Sequence, residues 1–484
     1  MDKNTLVRAL VWFAPLALAT AGCARTSGRS GQPVDGRPPM SIPEPPPDSS
    51  VTPVDLGPGD RPRADAAPRP CQNLECQQVK CPASATTSVS GTAFAPNGTL
   101  PLYNVMAYVP NAPLEPFKAG ITCDRCGVVV SGRPIASAIS NHEGKFKIDN
   151  VPAGKDIPLV LQVGKWRRQV TIPEVKACQD NALGDPNLTR LPRHRKEGDM
   201  PRMLAMSGEC DSLNCLLPKV GIDPIEFGEE GEDKAITFFK GLSFSPASGP
   251  VTATSVVGIW RDETELQKYD LLLLGCECFR ELGNKGVRAW QAITNYLAKG
   301  GRLFGSHFMY VWYEFTPDPG LAAAVTVVTD PASYVTPVNP IVINTSFPKG
   351  KAMADWMKFL NPMQTYGQLT ADELFGDLAA TMPGTAQVWG SSGPNGGARI
   401  VSVNTPVGVP SDQQCGRAVH LDAHVFSTKK LPVGPITSPQ FSYPQICGKD
   451  LRDGEEALAF LFFDLAACVQ SDQTPVEPPP IIVP

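Results

Sequence analysis

The sequence predicts a multidomain protein in which a small antiparallel β-sandwich is followed by an α/β domain built on a mostly parallel sheet. Residues 82–192 alternate apolar and polar side chains with a period of two between turn signals, which is the pattern of short antiparallel strands. From residue 200 onwards, apolar strands alternate with helical segments, as they do in an open α/β sheet. The length of 484 residues also exceeds that of one ordinary domain.

Residues 1–22 are predicted to be a signal peptide. A short charged start precedes the apolar run Ala9–Leu18, which is too short to span a bilayer, and small residues follow. The last residues, Ala21-Gly22-Cys23, resemble the lipobox of bacterial lipoproteins, whose cysteine is diacylated. This resemblance implies lipidation of Cys23 and, because Ala24 follows, an anchor in the outer membrane, with the protein facing the periplasm or exposed at the surface. An ordinary signal peptide with a coincidental cysteine is the alternative.

Two further segments have the composition of disordered chain. Residues 23–70 are rich in proline and contain few large apolar side chains, so they cannot bury enough surface to offset the entropy of ordering, and residues 471–484 are also rich in proline. We therefore expect a flexible tether after the lipidated cysteine and a flexible tail at the end. The formal net charge of −5 lends no support to a nucleic-acid partner.

Fourteen cysteines in an exported chain indicate disulfide bonds. Without Cys23, six cysteines precede residue 200 and seven follow it, so we expect at least one later thiol to stay free or to pair externally. The motif from Cys123 to Cys126 has no second pair at zinc-site spacing and lies between strand-like segments. We interpret it as part of structural disulfides, and the sequence leaves their connectivity open.

Short strand-like runs fill residues 71–195, namely VSGTAF, NVMAYV, GKFKI, PLVLQV and QVTI. In GKFKI, Phe146 and Ile148 alternate with lysines, which predicts one buried and one solvent-facing side. The stretches VSGTAFAPNGTLPLYNVMAYV and NHEGKFKIDNVPAGKDIPLVLQVG resemble the carboxypeptidase regulatory-like or CnaB-type sandwich, a transthyretin-like fold. The resemblance implies a spacer, a stabilising module or a sugar binder, and it brings no catalytic residue with it.

Residues 200–470 show the alternation of an α/β domain. MLAMSGE and YDLLLLGCE read as strands, and the second is apolar on both sides, like an interior parallel strand. A helix with one apolar stripe precedes the strand RLF; the stripe consists of Val287, Trp290, Ile293 and Leu297. RIVSVN and GRAVHLDAHVF add two strands, and a nearly apolar helix from about residue 454 to 469 is expected to be buried.

The order YDLLLLGCE, helix, GGRLFGSHF and GRAVHLDAHV resembles the class I glutamine amidotransferase-like fold, especially its trehalose-utilisation branch. The resemblance implies a flavodoxin-like α/β sheet. At the corner where amidotransferases carry a nucleophilic cysteine, this chain has His307, and Ser306 precedes it. Glutamine hydrolysis is therefore not expected. With the lipobox and the sandwich, the whole chain resembles secreted bacterial two-domain lipoproteins.

The motif VHLDAHV supplies candidate metal ligands. His420, Asp422 and His424 alternate with apolar residues, so an extended strand would place all three on one face. Two imidazoles and a carboxylate are ligand types of zinc and of non-haem iron, and His307 at a strand end could approach the same crevice. Candidate catalytic residues are therefore His307, His424 and Asp422. The alternative is structural, because residues four apart on a strand are about 13 Å apart, too far for one ion unless a bulge intervenes.

A ligand crevice at the strand ends is a second prediction. Its candidate residues are Glu209, Glu277, Ser306, His307, Trp312 and His424. Tyr310 and Tyr313 could join Trp312 in an aromatic wall for sugars. The missing nucleophile favours a non-catalytic cell-envelope lipoprotein that binds a carbohydrate or an envelope protein in this crevice. The alternatives are a hydrolase or isomerase acting on sugars or amides, with or without a metal, and a purely structural envelope protein.

Overall fold

The computed structural model describes residues 70–128, 130–328, 338–392, 397–432, 434–435, 438–478 and 481. The predicted signal peptide, Cys23 and the tether up to residue 69 lie outside this part of the chain. In the described ranges, no helix combines the length and the apolar character that a membrane crossing requires.

The first part of the described chain contains two small sheets. Its elements are β1 (Ser88–Thr92), β2 (Met106–Pro110), β3 (Pro134–Ile139), β4 (Lys145–Asp149), β5 (Gly154–Val163), β6 (Trp166–Val175), β7 (Asp180–Leu183) and α1 (Pro186–Thr189). The sheets have the orders β4-β1-β7 and β3-β2-β5-β6, and only the pair β1 and β7 is parallel. Phe146 and Ile148 are buried in β4 while its charged residues are exposed, as the alternation predicts. Apolar side chains of both sheets join one hydrophobic cluster.

A large sheet of mixed direction organises the rest of the described chain. The strands from residue 200 onwards are β8 (Met203–Ser207), β9 (Phe227–Gly228), β10 (Ile236–Lys240), β11 (Thr254–Ser255), β12 (Leu271–Leu274), β13 (Arg302–Ser306), β14 (Val325–Val327), β15 (Ile341–Ile343), β16 (Gln368–Leu369), β17 (Glu373–Leu374), β18 (Leu378–Thr381), β19 (Ala386–Ser392), β20 (Gly397–Thr405), β21 (Gly416–Leu421) and β22 (Ala423–His424). The order across the large sheet is β11-β10-β8-β12-β13-β21-β20-β19-β15-β16, with β9 beside β10.

The direction of the large sheet changes at β21. Every pair from β11 to β21 is parallel, and every pair from β21 to β16 is antiparallel. All four leucines of β12 are buried, as expected for an interior parallel strand. Two short pairs lie outside this sheet, β14 with β18 and β17 with β22. The parallel half brings the carboxyl ends of β8, β12, β13 and β21 to one edge.

The helices of this region cover the sheet. They are α2 (Leu216–Lys219), α3 (Val257–Trp260), α4 (Glu263–Leu266), α5 (Val287–Ala298), α6 (Val311–Glu314), α7 (Pro319–Ala324), α8 (Pro348–Leu360) and α9 (Asp453–Ala466). In α5, Ile293 and Leu297 are buried as predicted, but Val287 at the first position is 73% exposed, so it is not part of the buried stripe. Helix α9 is buried along most of its length, as its apolar composition predicts.

Helix α9 also packs against the two small sheets. The ring of Phe460 stacks on Tyr103 with 5.5 Å between centroids, and Phe463 contacts Trp166 at 6.1 Å. Residues from the small sheets, the large sheet and α9 all belong to one hydrophobic cluster. The two regions therefore share one hydrophobic core.

Disulfide bonds reinforce this junction. The bonded pairs are Cys71–Cys76, Cys81–Cys178, Cys123–Cys415, Cys126–Cys468, Cys210–Cys278 and Cys215–Cys447. Cys123 and Cys126 each bond to a cysteine of the later region, so the motif between them ties the two regions together. Among the described residues Cys276 is the free cysteine, and it is buried. Structural disulfides and a free thiol after residue 200 were both predicted, and both are confirmed.

The ordered chain extends beyond residue 470, where the predicted tail begins. Asp472 is buried and forms ion pairs with Arg417 at 2.8 Å and with Lys349 at 3.3 Å. Its side chain also accepts a hydrogen bond from Ser402. The first residues of the proline-rich end are thus part of the folded structure.

Candidate metal centre

Three side chains converge at the carboxyl edge of the parallel strands. Cys276 follows β12 by two residues, His307 directly follows β13, and His424 lies three residues beyond the end of β21. These strands are neighbours in the sheet and run in the same direction, so their ends meet. All three side chains are buried, with residue exposures of 0%, 5% and 1% respectively.

A sharp corner after β13 points His307 inwards. His307 has φ of 44°, a left-handed conformation that is uncommon outside glycine, and it begins a short 3₁₀ helix from His307 to Tyr310. Gly305 permits the close approach of that helix, because a Cβ atom there would lie 2.8 Å from the side chain of Met309. The Gly-Ser-His sequence therefore builds a tight strand-to-helix turn with an imidazole at its apex.

A break after β21 directs His424 to the same place. The chain leaves the large sheet at Leu421 and forms β22, in which His424 pairs with Glu373 of β17. Segment 373–378 thereby lies across the two histidines. The ring of Phe375 stacks on His307, with 3.4 Å between centroids and 7° between planes.

The side-chain atoms of the cluster are close to one another. Nδ1 of His307 lies 3.2 Å from Nε2 of His424 and 3.4 Å from Sγ of Cys276. On the far side of each ring stands a carboxylate: Glu373 Oε2 is 2.8 Å from Nδ1 of His424, and Asp377 Oδ2 is 3.2 Å from Nε2 of His307. An imidazole whose second nitrogen meets a carboxylate is the usual arrangement of a metal-binding histidine.

With both rings neutral, their protons cannot satisfy all of these contacts. The Glu373 carboxylate accepts from Nδ1 of His424, so in the neutral ring Nε2 has no proton. If neutral His307 carries its proton on Nε2, beside Asp377, two lone pairs oppose each other across 3.2 Å. If it carries the proton on Nδ1, the bare Nε2 opposes a carboxylate. Either a second proton on His307 or a metal cation bound by both nitrogens and the thiol removes this conflict.

Burial keeps the cluster neutral in the absence of a cation. It lowers the pKa of His307 and of His424, and the nearby carboxylates oppose this shift only in part. Burial also raises the pKa of the Cys276 thiol to about 12. The thiol is therefore not an activated nucleophile by itself, whereas a bound metal would stabilise its thiolate form.

The spacing of the ligand atoms fits zinc. Zinc–nitrogen distances of about 2.1 Å and zinc–sulfur distances of about 2.3 Å place tetrahedral ligand atoms roughly 3.3–3.6 Å apart. The contacts of His307 with His424 and with Cys276 are close to this range, and all three ligand atoms lie within 4.8 Å of one another. Thiolate and imidazole are both ligand types that zinc prefers.

Of the candidate metal ligands His420, Asp422 and His424, the structure brings only His424 into the cluster. Because the strand ends at Leu421, His424 joins the centre while His420 stays in β21, where neither ring nitrogen has a hydrogen-bond partner among the described residues. Asp422 is buried and forms an ion pair with Arg399 at 3.0 Å, outside the cluster of the three ligands. Its other role is to accept the backbone N–H groups of residues 377 and 378, which holds the carboxylate-bearing segment in place.

The remaining predicted crevice residues lie in different environments. Ser306 is adjacent to the centre, where its hydroxyl accepts the backbone N–H of Cys276 at 3.1 Å. Glu209 is exposed, and Glu277 forms a buried ion pair with Lys285 at 2.5 Å. Trp312 packs on Trp260 inside the core, with 5.0 Å between centroids.

The predicted aromatic wall is absent from the described surface. Tyr310 and Tyr313 are buried like Trp312 and offer no open stacking face.

The centre also contains residues that the sequence did not indicate. Cys276 was missed although its strand was recognised, and the odd number of cysteines was the only signal for it. Glu373 and Asp377 come from a segment without clear periodicity, so no sequence pattern placed them near the histidines.

Fold and site together define a disulfide-rich α/β protein with a candidate three-ligand metal centre at the carboxyl edge of its sheet. Comparison of the chain with protein-family models, with curated proteins and with solved structures found no match. Its function therefore has to follow from the chemistry of the centre.

Proposed function

We propose that this protein is an exported metalloprotein that binds one zinc ion through Cys276, His307 and His424 and uses it for hydrolysis. The observation that carries the proposal is the pair of imidazole nitrogens facing each other across 3.2 Å beside a thiol, each ring with a carboxylate behind it. Three protein ligands leave the fourth position of a tetrahedral zinc ion for water or substrate, which is the arrangement of catalytic zinc sites. Amides and sugars are the substrate classes we favour.

A second candidate is the non-catalytic role in which the domain binds a carbohydrate or protein ligand. Burial of the three ligand residues favours it, because closed zinc sites are more often structural. The catalytic role is favoured by the number of ligands, because three protein ligands leave one position of a tetrahedral ion for water or substrate.

Metal analysis of the full mature chain, exported to an oxidising compartment and purified without chelators, tests the proposal. We expect stoichiometric zinc in the wild type and its loss in C276S, H307A and H424A. H194A is the control, because His194 lies outside the cluster. Metal-free wild-type protein, or zinc retained in all three variants, would contradict the proposal.

We also propose that the chain is an outer-membrane lipoprotein anchored through Cys23, with a carboxypeptidase regulatory-like sandwich and an amidotransferase-like, flavodoxin-like domain. The described disulfides suit an oxidising compartment, and the two small sheets and the parallel half of the large sheet suit these folds. Incorporation of labelled palmitate tests the anchor: the wild type should be labelled and C23A should not. Equal labelling of both would refute lipidation at this cysteine.

A further inference from the structure

We propose that the side chain of Phe375 is the gate of the metal centre, so that a metal ion or a substrate reaches the three ligands only when this ring swings away. The inference rests on the proposed function, since it concerns access to the same centre. It explains how three buried ligands can serve an ion whose fourth ligand comes from solvent.

The ring of Phe375 lies against both histidines of the centre. It stacks on His307 with 3.4 Å between centroids and 7° between planes, and it meets His424 at an angle of 62° with 4.7 Å between centroids. The lone pair of an imidazole nitrogen lies in the plane of its ring. The stacked ring of Phe375 therefore covers one side of the plane in which His307 would bind a metal ion.

The segment that carries Phe375 lies between the histidines and solvent. Phe375 is half-buried, and the side chains of Glu373 and Asp377 on either side of it are 25% and 16% exposed. The three ligand residues, in contrast, are at most 5% exposed. Movement of the Phe375 ring would therefore open a path from solvent to the imidazoles.

The loops after β8 and β12, which also border the centre, are fixed by bonds. The disulfide Cys210–Cys278 joins the two loops. The backbone N–H of Cys210 donates to the carbonyl oxygen of Cys276 at 3.1 Å, and that of Ser212 donates to the carbonyl oxygen of Phe426 at 2.9 Å. An opening on this side would have to break these bonds, whereas the side of Phe375 is closed by ring contacts.

The backbone on both sides of Phe375 is fixed as well, so opening requires only the ring to move. The N–H of Phe375 donates to the carbonyl oxygen of Asp422 at 3.1 Å, and the N–H of Asp372 donates to that of His424 at 2.9 Å. The N–H groups of residues 377 and 378 donate to the Asp422 carboxylate. Side chains change rotamer much faster than hydrogen-bonded segments open. The gate is thus a single side chain rather than a loop.

A gate has a kinetic signature that a purely structural residue lacks. It lies on the path to the centre, so its removal raises the rates of metal entry and of metal release by the same factor. The affinity is the ratio of these two rates and stays the same. Loss of a residue that only supports the geometry of the ligands would lower the affinity instead.

Zinc exchange in the full mature chain measures both rates. Release is followed by mixing the zinc-loaded protein with excess chromogenic chelator, and entry by mixing the metal-free protein with zinc and a fluorescent zinc indicator. We expect both rates to rise about tenfold in F375A, on the order of the loss of one aromatic pair, with the zinc affinity within about twofold of the wild type.

The matched control is L374A. Leu374 is half-buried in the same segment, but it pairs with Ala423 and packs on the main hydrophobic cluster. Because successive side chains of a strand point to opposite faces, it points away from the face that carries Glu373. Both rates in L374A should stay those of the wild type.

Wild-type rates in F375A would overturn the inference while leaving the metal centre intact, and so would equal acceleration in F375A and L374A. A loss of affinity that accounts for faster release would also overturn it. If F375A does not fold, F375L decides, because leucine keeps an apolar side chain but has no flat ring to stack; wild-type rates in F375L then contradict the gate. A wild type that takes up no zinc would instead refute the proposed function and the inference with it.

Discussion

Nδ1 of His307 and Nε2 of His424 lie 3.2 Å apart, and each ring has its second nitrogen against a carboxylate. The two side chains come from strands that are neighbours and parallel, one through a tight corner and the other through a break in the strand. Strand geometry thus delivers two imidazoles to one point, and the carboxylates fix the direction of their lone pairs. For the proposed zinc centre, this relationship predicts that metal affinity depends on residues that never touch the metal.

Removing either carboxylate should weaken metal binding. E373Q and D377N keep the size of the side chains but lose the charge that orients each imidazole and increases its basicity. We expect zinc affinity to fall about 10–100-fold in each variant, measured by competition with a chromogenic chelator. E209Q, at an exposed position of the same edge, should bind zinc like the wild type. Wild-type affinity in both E373Q and D377N would show that the carboxylates do not orient the rings.

Asp422 should act through segment 373–378 and through stability. D422A leaves Arg399 buried without its partner and frees two backbone N–H groups, so the free energy of unfolding should fall by about 3–5 kcal/mol. The double variant R399A/D422A should lose less than the sum of the two single variants, because it leaves no unpaired charge. Chemical denaturation of the four proteins measures this coupling, and strictly additive losses would contradict a direct ion pair.

The sequence predicted where the centre lies better than it predicted which residues belong to it. His307 and His424 follow strand ends, and the carboxyl edge of a parallel sheet is where ligands bind, so both were placed in the crevice. The strand predicted for VHLDAHV is paired in the large sheet only as far as Leu421, since a period of two cannot show where a strand leaves its sheet. Glu373 and Asp377 reach the histidines through long-range pairing, for which local patterns carry no signal.

In the interior of the fold, too, local patterns predict some features of the structure and not others. Burial of Leu271–Leu274 and of helix α9 follows from composition alone. Val287, in contrast, matched the apolar stripe of α5 and is exposed, although Ala289 in the same turn is buried. Cross-linking of the two regions by Cys123 and Cys126 could not be predicted either, since an odd number of cysteines shows that at least one is unpaired but never shows which ones pair.

His420 should make stability depend on pH. It is wholly buried, and burial lowers its pKa from 6.5 to about 3. The unfolded chain binds a proton on this side chain at higher pH than the folded protein does. The stabilising contribution is therefore complete above pH 6.5 and is lost as the pH falls from there towards 3. At pH 5 the loss is on the order of 2 kcal/mol.

The comparison of wild type with H420L isolates this contribution. The leucine cannot be protonated and leaves no buried polar nitrogen without a partner, so its stability should fall less between pH 7 and pH 5. Denaturant titrations at several pH values provide the free energies, and H194A serves as a control at a more exposed histidine. Parallel pH profiles of the wild type and H420L would show that His420 is already protonated, or already accessible to solvent, in the folded protein.

Cys276 should be the one thiol of the folded region, hidden until the protein unfolds. In the metal-free protein its buried thiol has a pKa of about 12 and is protonated at pH 8, and in the metal-bound protein the sulfur is a ligand. Reaction of the C23A variant with a disulfide reagent should therefore give almost no signal under native conditions and one thiol per chain in denaturant. The double variant C23A/C276S should give none in either state. Two or more thiols in denatured C23A would mean that one of the assigned disulfides is not formed, and fast reaction of the native protein would mean that the centre is open.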